Sequence, residues 1–127
     1  RPFWIGRTKI LPQRVTHSPR LHCLGYRLEY GGKPLAYSGA SQYCTSLVRL
    51  CGDADLAVLD CSFPANKPGP VHLHAGQCGQ VAQEAGVGQL ILSHFYPIAD
   101  RYDVKGQAGE RYRGKIRKGR DLLTVNV

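Results

Sequence analysis

The stretch DLAVLDCSFP (55–64), followed after a short gap by HLHAGQCGQVAQEAGVGQLILSHFYP (72–97), decides the fold. DLAVLDC (55–61) is an almost unbroken apolar run, the pattern of a strand covered on both faces. FPANKPGP (63–70) is a loop by its prolines and glycine. Ala75, Cys78, Ala82 and Ala85 then share one stripe at helical spacing, which predicts a helix over 75–85, and GQLILS (88–93) is a second buried strand. Upstream, CLGYRLEY (23–30) and KPLAYSG (33–39) are strand-like runs on either side of Gly31-Gly32, where a tight turn needs positive φ, so they pair as a hairpin. QYCTSLVRLC (42–51) places Tyr43, Leu47, Leu50 and Cys51 at helical spacing ahead of Gly52, and DLLTVNV (121–127) reads as a last strand. A hairpin followed by alternating helices and strands, with no internal linker or repeat, predicts a single α/β layered domain over residues 1–127.

Composition sets the outer limits. The chain has 127 residues, 43% of them hydrophobic, enough for one core. No apolar run approaches the ~20 residues that span a bilayer, and RPFWIGRTKI carries charges where a signal peptide would be apolar, so a soluble protein with no membrane partner is expected. Cys23, Cys44, Cys51, Cys61 and Cys78 are odd in number and form no C-x-x-C pair, which argues against a disulfide framework or a zinc ribbon and for reduced thiols in a cytoplasm. The net charge of +8 invites a nucleic-acid partner. Much of the excess lies at the ends, in Arg1, Arg7, Lys9, Arg14 and Arg20 and again in ERYRGKIRKGR (110–120), with no aromatic-rich platform beside it, so a solvated basic surface is favoured. The absence of methionine suggests a trimmed chain or a piece of something longer.

Ligands collect beyond the C-terminal ends of strands in sheets of this kind. Three loops sit there: Ser38-Gly39-Ala40-Ser41, the loop that reaches His72, and His94-Phe95-Tyr96-Pro97. Alone, each histidine reads as a hydrogen-bonded loop residue, but three such loops on one sheet edge favour a site. His72, His74 and Cys78 lie within seven positions, and all are metal-ligating types. A metal shared by them is nonetheless disfavoured, because Cys78 belongs to the apolar stripe of the helix.

The segments LGYRLEYGGKPLAYSGAS, DADLAVLDCSFP, HLHAGQCGQVAQEAGVGQLILSHFYP and GRDLLTVNV together resemble the C-terminal half of a metallo-β-lactamase-fold hydrolase, in the branch related to ribonuclease Z. The resemblance runs from about residue 15 to the end and implies half of an αββα sandwich: a mixed sheet with helices on one face. In that family a two-zinc centre is built from a His-x-His-x-Asp-His motif, a His on a middle strand, an Asp after Ser-Gly, and a His after a late strand. By resemblance His17 and His94 stand at the two later histidine positions. Ala40 stands where the family carries the metal-bridging Asp, and the His-x-His-x-Asp-His motif is absent from these 127 residues. His72 matches a position beside the metals that helps protonate the leaving group, with Asp60 at the place of its acidic partner; His74 receives no role.

A catalytic zinc needs about three protein ligands and an open position, and a two-metal site needs an anionic bridge. Two imidazoles and no bridge imply weak or absent zinc and a hydrolase half that is inactive by itself. The substrate expected of the complete hydrolase is a phosphodiester or a small ester. The competing expectation is a non-catalytic homodimeric binding module derived from the same fold. Either way the inner sheet face, expected to carry Leu56, Val58, Leu90 and Leu92, has to be covered by a second copy or by a missing N-terminal half. The alternative cover is the N-terminal segment RPFWIGRTKILPQ folding back as a lid.

Overall fold

In the computed structural model, which describes all 127 residues, seven strands lie side by side in chain order. They are β1 (Phe3–Ile5), β2 (Thr8–Val15), β3 (Cys23–Tyr30), β4 (Lys33–Tyr37), β5 (Leu56–Asp60), β6 (Gln89–Ser93) and β7 (Lys115–Lys118). β1 to β4 form an antiparallel meander, and β4 to β7 are parallel. The β3–β4 turn holds Gly31 and Gly32 at φ 56° and 75°, both in the left-handed region that a two-residue hairpin demands and glycine supplies. The parallel strands are joined through α1 (Thr45–Leu50), α2 (Ala75–Ala85), and a 3-10 turn (Pro97–Arg101) leading into α3 (Val104–Gly109). The parallel strands advance in one direction and such crossovers are right-handed, so all three helices land on one face, α1 against α2 and α2 against α3. This is the mixed sheet with helices on one face that the resemblance implies.

Alternation along the strands divides the apolar residues between the two faces. Ala36, Ala57, Leu90 and Ile116 form one row across β4 to β7, and Leu59 sits beside Leu92. These side chains belong to the core with Leu47, Cys78, Val81 and Val104 from the helices. Leu59, Leu90 and Leu92 are fully buried, each contributing about 2 kcal/mol. The expectation that Leu90 and Leu92 line the inner face is therefore corrected: the period of two turns them under the helices, and the opposite face carries Leu35, Leu56, Tyr37, Val58, Ile91 and Arg117. α1 lies close over β3 because Gly25 has no side chain there; a Cβ would stand 2.7 Å from Leu50 Cδ2.

Three further expectations change at the chain ends and at α1. Residues 121–127 form no strand; the last strand is Lys115–Lys118, whose single buried residue, Ile116, gives no apolar run to read. Charged edge strands of this kind resist further pairing. The tail instead borders the open face, where Leu123 lines one cleft with Val58 and Ile91, and Val127 lines another with Leu28 and Leu35. RPFWIGRTKILPQ is no lid: it forms most of the β1–β2 hairpin at the sheet edge and leaves Trp4 65% exposed. The helix expected over 42–51 begins only at Thr45, because Cys44 is extended. No helix is long and apolar enough to cross a membrane.

α2 begins where the sequence places it because His74 caps it. His74 Nδ1 accepts from the Gln77 backbone N–H at 3.2 Å, and Gln77 Oε1 accepts from the His74 N–H at 3.1 Å, a reciprocal capping box. Burial, and after it the charge of Arg111, lowers the His74 pKa from 6.5. The folded value being depressed, this group's contribution is full above about 6.5 and is lost as the pH falls through its folded value. We expect His74→Ala to lower the unfolding free energy by about 1 kcal/mol at neutral pH and His74→Ser to leave it nearly unchanged. Urea unfolding at pH 7.5 and 5 checks both, with His74→Ser losing less stability than the native chain on acidification.

Candidate functional site

The C-terminal ends of β2, β4, β5 and β6 meet at one sheet edge, and the loops leaving them converge on the carboxylate of Asp60. Asp60 ends β5 and is 2% exposed. Its Oδ2 accepts from His72 Nδ1 at 2.6 Å and from the Ser41 backbone N–H at 3.2 Å; its Oδ1 accepts from the Ser62 hydroxyl at 2.6 Å. Its own N–H donates to Ser38 Oγ at 2.9 Å, and its carbonyl accepts from the Cys78 thiol at 3.1 Å. A buried carboxylate left unpaired would be costly, and three donors are what makes this one tolerable.

The same network sets the tautomer of three histidines. His72 Nδ1 faces a carboxylate, so Nδ1 carries the proton. His17 Nδ1 faces the Val71 carbonyl at 2.6 Å, an acceptor, and so is protonated as well. Ser62 spends its single hydroxyl proton on Asp60 and therefore accepts from His94 Nδ1 at 3.0 Å. Each ring thus has its Nδ1–H anchored, and its Nε2 is the accepting nitrogen, free in His17 and His94 and facing the Tyr96 hydroxyl at 3.0 Å in His72, the form in which imidazole binds a metal or takes a proton. The His17 and His94 rings flank His72, with centroids 4.9 and 5.3 Å from it.

Two non-glycine residues hold this arrangement in left-handed backbone: His94 at φ 59° and Val71 at φ 57°. For a β-branched residue that conformation is a genuine outlier, and strain of this kind gathers at functional sites. The loop after β4 is fixed differently. Gly39 at φ 60° brings its backbone against Leu24, where a Cβ would lie 2.8 Å from the carbonyl oxygen. Gln42 then ties the loop to the His17 segment, its N–H to the Thr16 carbonyl at 2.6 Å and its Nε2 to the His17 carbonyl at 3.0 Å. Ala40 lies in this loop between Ser38 and Ser41, both of which are bonded to Asp60.

Sequence reasoning nominated His17, Asp60, His72 and His94, and the structure brings all four together. It missed Ser62 and Tyr96, whose hydroxyl lies 3.0 Å from His72 Nε2; Ser-Phe-Pro and His-Phe-Tyr-Pro carried no signal beyond their places at strand ends. His74 and Cys78 are committed elsewhere, to the helix cap and to the Asp60 carbonyl. Asp60, His72 and His94 offer ligand atoms within 4.8 Å of one another, a grouping able to receive a cation. Both oxygens of that carboxylate, however, already serve three donors. Below the site a cleft of about 520 Å³ runs over the open sheet face from Val58 and Ile91 to His94, with Arg120 on its rim.

A family model described as a beta-lactamase superfamily domain matches residues 2–95. An uncharacterised protein of Mycobacterium tuberculosis is 32% identical over 118 residues, covering 91% of this chain and 42% of that protein. The probable metallo-hydrolase YhfI of Bacillus subtilis is 27% identical over 110 residues, covering 83% of this chain and 45% of that protein. The crystal structure of YhfI, a metallo-beta-lactamase fold protein, superposes with a TM-score of 0.87 at 25% identity, over 94% of this chain and 49% of that one. Human tRNase Z, short form, shares the fold at a TM-score of 0.74 and 16% identity, over 98% of this chain and 44% of that one. The chain spans less than half the length of these relatives. A half-sheet with its helices on one side, ending in a carboxylate–histidine cluster and matched by the family model over most of its length, belongs to the beta-lactamase superfamily.

Proposed function

We propose that these residues form the proton-donor half of a metal-dependent hydrolase acting on a phosphodiester or a related ester, with the remaining ligands supplied from outside this sequence. The observation that carries the reading is the Asp60–His72 pair: a buried carboxylate 2.6 Å from Nδ1 fixes the ring with Nε2 turned away from Asp60, 3.0 Å from the Tyr96 hydroxyl, the nitrogen that would carry the proton for an oxygen leaving group. The ribonuclease Z of Methanothermobacter thermautotrophicus, 28% identical over 130 residues, gives the substrate class its support.

His17 and His94 are the imidazoles suited to metal, each with Nδ1–H anchored and Nε2 free. Two imidazoles fall short of the three protein ligands of a catalytic zinc, and Ala40 offers no oxygen where a bridge is needed. These residues alone therefore do not fit a dinuclear centre. When complete, such a centre supplies an activated water; the present residues bind and orient the substrate oxygen and hold the proton that it receives.

A second reading, a non-catalytic dimer, has its own observation: Tyr37 is 47% exposed on the open face, and the β1–β2 hairpin at its edge leaves Phe3, Trp4 and Ile5 exposed. An isologous contact through this face would cover Tyr37 and Val58 in both copies.

We expect the purified chain, dialysed against a mild chelator, to keep far less than one zinc ion per molecule; near-stoichiometric zinc overturns the incomplete-centre reading. Ala40→Asp should raise metal content only when a polypeptide carrying the His-x-His-x-Asp-His motif is present. Asp60→Ala should cost about 3 kcal/mol or more in urea unfolding, since it strands three buried donors. A 14.0 kDa species in sedimentation at micromolar concentration removes the dimer.

A further inference from the structure

Two apolar residues are buried where no helix lies. Leu56 is 2% and Ile91 8% exposed, yet neither belongs to the core under the helices; both lie on the open face of the sheet. The segment that reaches them is 121–127. Leu123 lines a cleft with Val58 and Ile91, and Val127 lines another with Leu28 and Leu35. Between these points the Gln89 side chain, on the same side of β6 as Ile91, donates to the Asn126 carbonyl at 2.9 Å. Leu35 pairs with Leu56, and Ala57 with Leu90, which sets Gln89 beside Leu56 and puts Leu56 in the path of the segment. Leu123 and Val125 are half-buried while Thr124 and Asn126 are exposed, the alternation of an extended chain laid on an apolar surface.

The hold on this segment is light. From Thr124 to Val127 no backbone group bonds to another backbone group, and the Gln89–Asn126 contact is the one side-chain bond to the segment. At its root Leu122 sits in left-handed backbone at φ 62° with its side chain 99% exposed, so the strain there is offset only by the docking of the residues that follow. The fixed end is Gly119, whose N–H donates to the Leu92 carbonyl at 2.8 Å. A stretch with so few bonds belongs to the low end of local stability. We propose that residues 121–127 are a releasable strap: docked, they seal the open sheet face and help to wall the cleft that ends at His94; released, they uncover both. Arg120, Asp121 and Leu123 line that cleft together with Ser93 and His94, so the strap governs access to the sheet face and to this flank of the site at once. A second copy that is to use the face has to displace it.

The intact chain gives the first readout. NMR should show methyl contacts between Leu123 and Ile91 and between Val127 and Leu35; their absence overturns the docked strap. Gln89→Ala then removes the one side-chain tie and nothing from the helix-side core. Under folding conditions, chymotrypsin cleavage within 121–127, read by mass spectrometry, should rise by about fivefold, what one hydrogen bond contributes to a closing equilibrium. Cleavage elsewhere should not change. An equal rate in both chains, or a rise spread over the whole sequence, overturns the proposal. Deleting residues 121–127 should keep the helical circular dichroism and either bind a hydrophobic dye or gain mass, since the uncovered face meets water or a second copy. A folded deletion variant that does neither shows that the strap seals nothing, and overturns it as well. Should the deletion not fold, the methyl contacts and the Gln89→Ala rates decide. Neither metal nor turnover enters these readouts, so failure of the hydrolase reading shows separately, in zinc content, and the dimeric reading is decided by the mass of the intact chain.

Discussion

A single buried carboxylate organises the functional edge of this molecule. Asp60 ends a strand in the middle of the parallel sheet, and every polar atom it has is matched by a group from a different segment. Ser38 and Ser41 bring in the loop after β4, Ser62 and His72 the connection to α2, and Cys78 the helix itself. The charge, desolvated among apolar strands, holds these pieces because each would leave an uncompensated donor or acceptor if it moved. The orientation of three imidazoles follows from that satisfaction, directly for His72 and through the Ser62 hydroxyl for His94.

His17 enters the same cluster by another route. Its ring is anchored by the carbonyl of Val71, a β-branched residue forced into left-handed backbone, while its segment is sewn to the β4 loop by Gln42. The strain at Val71 and at His94 is of order 1–3 kcal/mol each and persists because the surrounding hydrogen bonds over-determine it. Stability and site geometry are thus supplied by the same few contacts, and a change at Ser62 or Gln42, far less conspicuous than one at a histidine, would disturb both.

The elements legible in the sequence were those whose signal is periodic and apolar. The α2 stripe, the runs at β5 and β6 and the Gly31-Gly32 turn all read correctly, because burial on one or both faces imposes its pattern directly on residue type. β7 was hidden, since a basic edge strand with one buried isoleucine has no alternation of apolar residues to detect, and DLLTVNV, which has it, forms no strand. At the site, His17, Asp60, His72 and His94 were accessible through resemblance and strand-end position. Tyr96 and Ser62 were not, because their importance lies in a hydrogen bond to a residue 24 or 32 positions away in the chain, and pairing of that kind leaves no mark on local spacing. Ala40 is the reverse case: visible only against the family's pattern, and structurally inconspicuous.

The chain-ordered sheet has a kinetic meaning. Each strand pairs with the one before it, so no strand has to wait for a distant partner or be threaded between two that are already formed. The largest loop to be closed at any step is a single helix and its connections, and the entropy of closing a loop grows only slowly with its length. Such a sheet is able to grow in the order in which a ribosome delivers it, beginning with the antiparallel meander, whose closures are short, and adding parallel strands one crossover at a time. The functional edge would then assemble late, when β6 brings His94 alongside a carboxylate that β5 has already buried.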